Sequence, residues 1–155
     1  TPLQLANYIA TLAGGGERYE THLLKDVRRY DSADLIAVYN EPPVETLSID
    51  GKNLTAVLSG MRALVTSGSI SGYFKRCIVD AAAKTGTAQT GDVKNDNGVF
   101  VCYAPYDDPQ IAVAIVIEKG GTGAALASSA VDILNAYFSS ADDGSPILGE
   151  NALVK

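Results

Sequence analysis

Histidine is nearly absent from this chain and cysteine is scarce. One histidine, His22, and two cysteines, Cys77 and Cys102, are all that its 155 residues hold. The cysteines lack C-x-x-C spacing, so a zinc site has too few ligands and no metal is expected. Two thiols alone do not fix a redox compartment, and a Cys77–Cys102 disulfide stays open. The plainer reading is two buried thiols that pack as small apolar residues. Positive charge is thin as well: 12 Lys and Arg stand against 18 Asp and Glu, for a net charge of -6. Arg28-Arg29 and Lys75-Arg76 form only short pairs. Phosphate binding needs clustered positive charge, so nucleic acid is not an expected partner. No apolar run is long enough to span a bilayer, and no signal peptide is visible. The start at Thr1, without Met, reads as a processed, cleaved or truncated product. No internal repeat and no linker divides the chain, so one domain with no second is expected.

What is present suits a globular fold. A hydrophobic fraction of 46% with 15 glycines is ordinary for a chain that buries a core. Thr1-Pro2 is a good helix start, a hydroxyl cap followed by proline where its missing N–H costs nothing. Leu5, Ile9 and Leu12 follow at helical spacing, and Gly14-Gly15-Gly16 stops the helix. Residues 20–41 read as extended until Glu41-Pro42-Pro43 breaks them. A second helix is expected over Lys52 to Thr66, with Leu54, Val57, Leu58, Met61, Leu64 and Val65 as its apolar stripe. Ser67 to Gly72 reads as a flexible loop.

The second half carries clearer signals. Val79 to Thr90 suits a strand and Gly91 to Gly98 a polar turn. Val99 to Ala104 and Ile111 to Ile117 suit two strands, and the short link through Tyr106-Asp107-Asp108-Pro109 makes them antiparallel neighbours. The run Ile111-Ala112-Val113-Ala114-Ile115-Val116-Ile117 barely alternates in polarity, so both faces of that strand should be covered. A helix from about Gly123 to Phe138 supplies one cover, through Leu126, Ala130, Ile133, Leu134 and Tyr137. The tail from Ser139 to Lys155 reads as loosely ordered. The fold class is α/β of the α+β kind: an antiparallel sheet flanked by helices.

The chemistry concentrates in Lys84-Thr85-Gly86-Thr87-Ala88-Gln89. On a strand, Lys84 and Gly86 point to one face and Thr85 and Thr87 to the other. At a sheet edge, backbone N–H groups are free to meet a ligand, and Gly86 removes the side chain that would block the approach. A lysine beside hydroxyls and free N–H groups suits an anionic ligand or a developing oxyanion. An exposed strand with a solvated lysine accounts for these residues equally well. Gly121-Thr122-Gly123 sits between a strand and a helix, but Leu126 stands where a dinucleotide fingerprint needs its third glycine, so a tight turn is the better reading. Ala83-Lys84-Thr85 lacks the upstream Gly-x-x-x-x-Gly of a P-loop. Asp107-Asp108 reads as loop solvation, not as a metal or acid–base pair.

The wider stretch Ala83-Lys84-Thr85-Gly86-Thr87-Ala88-Gln89 closely resembles the third active-site motif of penicillin-binding proteins. Thr1-Pro2-Leu3-Gln4-Leu5-Ala6-Asn7-Tyr8 is similar to the helix that opens the last half of their transpeptidase domain. Val99 to Pro105 with Ile111 to Ile117 resembles their terminal strand pair, and Gly120-Gly121-Thr122-Gly123 before the last helix is also similar. The pieces keep the family's order across nearly the whole chain, and they most resemble the class B, monofunctional members. The resemblance implies that 1–155 is the C-terminal portion of a penicillin-binding transpeptidase domain, with the fold shared by serine β-lactamases.

The implied activity is a D,D-transpeptidase that cross-links peptidoglycan stem peptides through a serine acyl-enzyme and that binds β-lactams. On this sequence, Lys84 would bring positive charge to the serine cluster. The Thr87 backbone N–H would be half of the oxyanion hole. Thr85, Gly86, Thr87 and Gln89 would bind substrate, the two hydroxyls taking its carboxylate. No cofactor is implied. The family also needs S-x-x-K and S-x-N, and none of the serines at 32, 48, 59, 67, 69, 71, 128, 129, 139, 140 or 145 begins either motif. Both precede Thr1 in the family's order, so the chain alone is expected to be inactive. Its implied partner is the N-terminal half of its own domain, in the same or a separate chain. The parent would be anchored by an upstream segment and work on the extracytoplasmic face of the bacterial cytoplasmic membrane. A β-lactamase, a D,D-carboxypeptidase or a β-lactam sensor of the same fold, or a non-catalytic binding domain, are the alternatives.

Overall fold

The structure is a computed structural model that describes residues 1–39, 41–91 and 96–142. Helix α1, Pro2–Ala13, begins at a full capping box: the Thr1 hydroxyl accepts from Gln4 N–H, and Gln4 Oε1 accepts from the Thr1 amine. Two otherwise orphaned donors are satisfied reciprocally, which fixes the helix start. Strands β1 (Glu17–Arg18) and β4 (Glu45–Thr46) pair antiparallel, and between them β2 (Asp26–Arg28) and β3 (Leu35–Val38) form a separate hairpin. The extended reading of 20–41 therefore holds only for these short pieces. Helix α2, Gly51–Thr66, starts where the Asp50 carboxylate accepts from Lys52 and Asn53 N–H at 2.9 and 3.3 Å.

The segment 67–72 is not the flexible loop expected. Ile70 is fully buried there, and helix α3 runs Ser71–Phe74. One apolar side chain among small polar residues is enough to pin the segment, because burying an Ile is worth roughly 1.5–3 kcal/mol.

The main sheet has three antiparallel strands in the order β5 (Ala82–Ala88), β6 (Asn97–Ala104), β7 (Ile111–Ile117). Its two faces carry separate cores. On one face Ala82, Val101 and Tyr103 pack with Ile9 of α1 and Met61 of α2, and Ala112 and Ala114 of β7 join them. On the other, Ala83, Phe100 and Cys102 pack with residues of the last helix, joined by Ile111, Val113 and Ile115. Both faces of β7 are thus covered, as its uniform apolarity requires. The chain crosses from β7 through a 3-10 turn, Gly123–Leu126, into helix α4, Ala127–Asp142.

The α4 face differs in detail from the expected one. Leu126, Ala127, Ala130, Val131 and Leu134 are buried, whereas Ile133 is 42% exposed. The helix also continues four residues past Phe138, into the stretch expected to be loose; residues 143–155 lie outside the described residues, as does half of the turn expected over 91–98. Asn135 ties α4 to the approach to β5: its Oδ1 accepts from Ile78 N–H at 2.9 Å and its Nδ2 donates to Arg76 O at 3.0 Å. Arg76 in turn donates to Asp132 at 2.6 Å and holds that carboxyl below its ordinary value. This pair is solvent-exposed, so it adds little to stability.

Two measurements test this packing in the protein that carries the chain. Leu134→Ala should cost about 2–5 kcal/mol in urea unfolding and Ile133→Ala less than about 1 kcal/mol. Equal costs would show that the buried face of α4 is misassigned. Burial pushes the Cys102 thiol up to about 12 and also raises the half-buried Cys77. The thiolate is the reactive form and exists only as pH climbs through the pKa. At pH 8 a thiol reagent should therefore modify Cys77 slowly, and Cys102 only after unfolding; fast labelling of Cys102 in the folded state would contradict the core assignment.

Candidate functional site

Strand β5 leaves the core from its N-terminal end. Ala82 and Ala83 are fully buried, Thr85 and Gly86 half-buried, and Lys84, Thr87, Ala88 and Gln89 exposed. Its register places Lys84 opposite Val101, Thr85 opposite Phe100, Gly86 opposite Val99 and Thr87 opposite Gly98. Lys84 and Gly86 share the α1–α2 side with Ala82, and Thr85 and Thr87 share the α4 side with Ala83. Gln89 lies one residue beyond the strand.

Among the described residues β5 pairs with β6 alone, so its other side is an open edge. The direction of its backbone groups follows from one contact. A Cβ built on Gly123 would lie 2.2 Å from Val99 O, 2.3 Å from Gly86 O and 2.8 Å from Gly86 N. One point can be that near all three only if Gly86 turns its N–H and carbonyl toward β6. Alternate residues of a strand then turn theirs the opposite way. The N–H groups of Thr85 and Thr87 consequently face the open edge. Lys84 Nζ donates to the Thr85 carbonyl oxygen on that edge.

The strand is held at both ends. At its start, Arg62 of α2 donates to Ala81 O at 3.0 Å and pairs with Asp80 at 2.9 Å. At its end, Asp96 is buried and its Oδ1 accepts from Thr90 N–H at 3.0 Å. The Asp96 carbonyl accepts from Gly121 N–H at 2.9 Å, and Asn97 Oδ1 accepts from Lys119 N–H at 2.9 Å. Asp96 thus joins the end of β5, the start of β6 and the turn after β7. Sequence reading missed this clamp, since an aspartate in a polar turn looks like solvation. Gly121 has φ +74° with open space around it, so its glycine serves the turn's conformation, and the tight-turn reading holds.

Between α1 and α2 lies an apolar groove of about 500 Å³ with Lys84 in its lining. Ile9 and Leu12 of α1, Ala56, Gly60 and Met61 of α2, and Val101 of β6 contribute to its lining. Other candidates stay apart. Asp107 and Asp108 are exposed on the β6–β7 link, and His22 is exposed, with Nδ1 2.7 Å from the Leu24 carbonyl. Among the described residues no three His, Cys, Asp or Glu converge as metal ligands, and no helix is long and apolar enough to cross a membrane.

Comparison with known proteins agrees with this arrangement. Residues 1–138 match the penicillin binding protein transpeptidase domain. Penicillin-binding protein 2A of Bacillus subtilis is 37% identical over 76% of this chain, and the match spans 18% of that protein. The peptidoglycan D,D-transpeptidase MrdA of Escherichia coli is 27% identical over 99% of this chain and 26% of its own length. The solved structure of penicillin-binding protein 2B of Streptococcus pneumoniae superposes with a TM-score of 0.76 at 28% identity, over 90% of this chain and 25% of that one. The chain therefore spans about a quarter or less of these relatives. The strand order, the terminal strand pair and the Lys-Thr-Gly edge strand all lie within the matched residues, and the chain belongs to the penicillin-binding protein transpeptidase domain family.

Proposed function

We propose that the protein carrying this chain is a peptidoglycan D,D-transpeptidase, in which residues 1–155 supply the C-terminal portion of the catalytic domain. The observation that carries the reading is the Lys84–Thr87 strand. It lies at the open edge of the sheet, with the Thr87 N–H outward and Lys84 in the lining of an apolar groove. An acyl-transfer site needs a nucleophile, a base and donors aimed at a developing oxyanion. This chain supplies the donor side. Thr87 N–H contributes half of the oxyanion hole, and the Thr85 and Thr87 hydroxyls, with Gln89 beyond, take the carboxylate end of a stem peptide or a β-lactam. Gly86 leaves the strand clear for the substrate. Lys84 offsets the negative charge and assists proton movement at the nucleophile.

The nucleophile belongs to the other half of the domain, because no serine of this chain begins S-x-x-K. The groove between α1 and α2 is the seat assigned to that half. It is apolar, it is unpartnered among the described residues, and Lys84 lies in its lining. Filling it would bring the serine and its base to the strand. The same reading places the protein's work outside the cytoplasmic membrane, where stem peptides are.

A fluorescent penicillin tests the proposal. The complete protein should be acylated covalently, and this chain alone should not. A label mapped to Ser69 or Ser71 would overturn the division of roles. Lys84→Ala in the complete protein should slow acylation by about 100-fold or more, within the range for losing a charge or proton-transfer group. Rapid turnover of the β-lactam, in place of a long-lived acyl-enzyme, would move the protein to the β-lactamases.

A further inference from the structure

We infer that Gly123 is a positioning residue for the oxyanion-binding strand, an inference that rests on the function proposed above. Gly123 is buried at the start of the 3-10 turn, on the α4 side of the sheet. The three atoms nearest to its absent Cβ, at 2.2, 2.3 and 2.8 Å, are all backbone: Val99 O, Gly86 O and Gly86 N. None can swing aside as a side chain would. Its φ is not positive, so conformation does not demand glycine here; space does. The turn thus rides directly on the junction between β5 and β6 at the central glycine of the Lys-Thr-Gly motif.

A methyl group at 123 has to displace something. The turn is tethered by Gly121 N–H to Asp96 O and by Lys119 N–H to Asn97 Oδ1. Strand β6 is held on both sides by β5 and β7. Among the described residues strand β5 has a neighbour on one side only, and it yields. Gly86 moves, and with it the Thr87 N–H one residue on. Misplacing a reacting group by about 1 Å can cost about 100-fold in rate. Flexible hydroxyls tolerate the same shift better than a backbone donor does, so the acylation step should suffer more than prior binding.

The test uses the complete protein and a chromogenic β-lactam, with acylation rates read against concentration. Gly123→Ala should lower the rate at saturation at least ten-fold and leave the apparent binding constant within about three-fold. Leu126→Ala is the control. It empties a buried site in the same turn without adding an atom near Gly86, so it should lower Tm at least as much yet keep the saturating rate within about three-fold. A wild-type rate in Gly123→Ala, or an equal loss in Leu126→Ala, overturns the inference. Should Gly123→Ala fold too poorly, Gly98→Val lifts the same turn from β6. Even a methyl there meets Leu126 Cδ1 at 3.4 Å and Thr122 O at 3.5 Å. It should lose at least about three-fold at saturation, and no loss counts against the inference. Failure of the wild-type protein to acylate at all is a separate result, which removes the proposed function and this inference with it.

Discussion

Among the described residues, the strand that carries Lys84 to Thr87 is hydrogen-bonded along one side only. Everything else in the structure has to compensate for that open edge. Among the described residues no strand closes that edge, and an edge strand with one neighbour is the easiest part of a sheet to shift. The chain holds it from the ends and the faces instead. Arg62 fixes the entry through Ala81 and Asp80, and Asp96 fixes the exit through Thr90. The Gly123 turn presses on the middle from the α4 side, at the Gly86–Val99 pair. These contacts converge on one short strand and hold it from both ends and from one face.

The apolar surfaces follow the same logic of incompleteness. Lys84 lines a groove that is otherwise largely apolar, and Ala56 and Gly60 keep the α2 wall low. Gly60 has nothing within 4 Å of where a Cβ would sit, so the described residues do not explain a glycine in mid-helix, which costs about 1 kcal/mol relative to alanine. The β2–β3 hairpin is equally uncovered: Leu35, Ile36 and Val38 are each more than half exposed. Among the described residues nothing covers these apolar faces, and the chain matches 18–26% of the length of those relatives.

Much of this was legible in the sequence where a local rule determines the outcome. Thr1-Pro2 announced α1, the apolar runs announced β6 and β7, and the short link between them announced their antiparallel pairing. Lys84–Ala88 was placed on a strand with the correct alternation, although Gln89 falls one residue beyond it. The failures share a cause: long-range contacts overrode local propensity. Ile70 looked like part of a loop because its neighbours are small and polar, but it fills the core beneath Val65 and Phe100. Ile133 looked buried by helical spacing together with Ala130 and Leu134; those two are buried, but Val131 is buried where Ile133 is exposed. Asp96 lay unremarked within the expected polar turn, and only the fold reveals that three chain segments meet on it.

The glycines make the limit sharper. Gly121 and Gly123 are two residues apart in one turn, and a sequence pattern treats them alike. One is glycine because its φ of +74° disfavours a side chain, with open space all around. The other has an ordinary φ and no space at all. A left-handed turn tolerates asparagine at modest cost, whereas a backbone junction tolerates no side chain without moving. The second kind of glycine seats a remote turn on the Lys84–Thr87 strand, because its contacts are with that strand's backbone and its neighbour's. The motif's central Gly86 and the turn's Gly123 therefore meet as a matched pair: on the function proposed above, one would clear the strand toward a substrate, while the other lets the turn pack directly on the same strand.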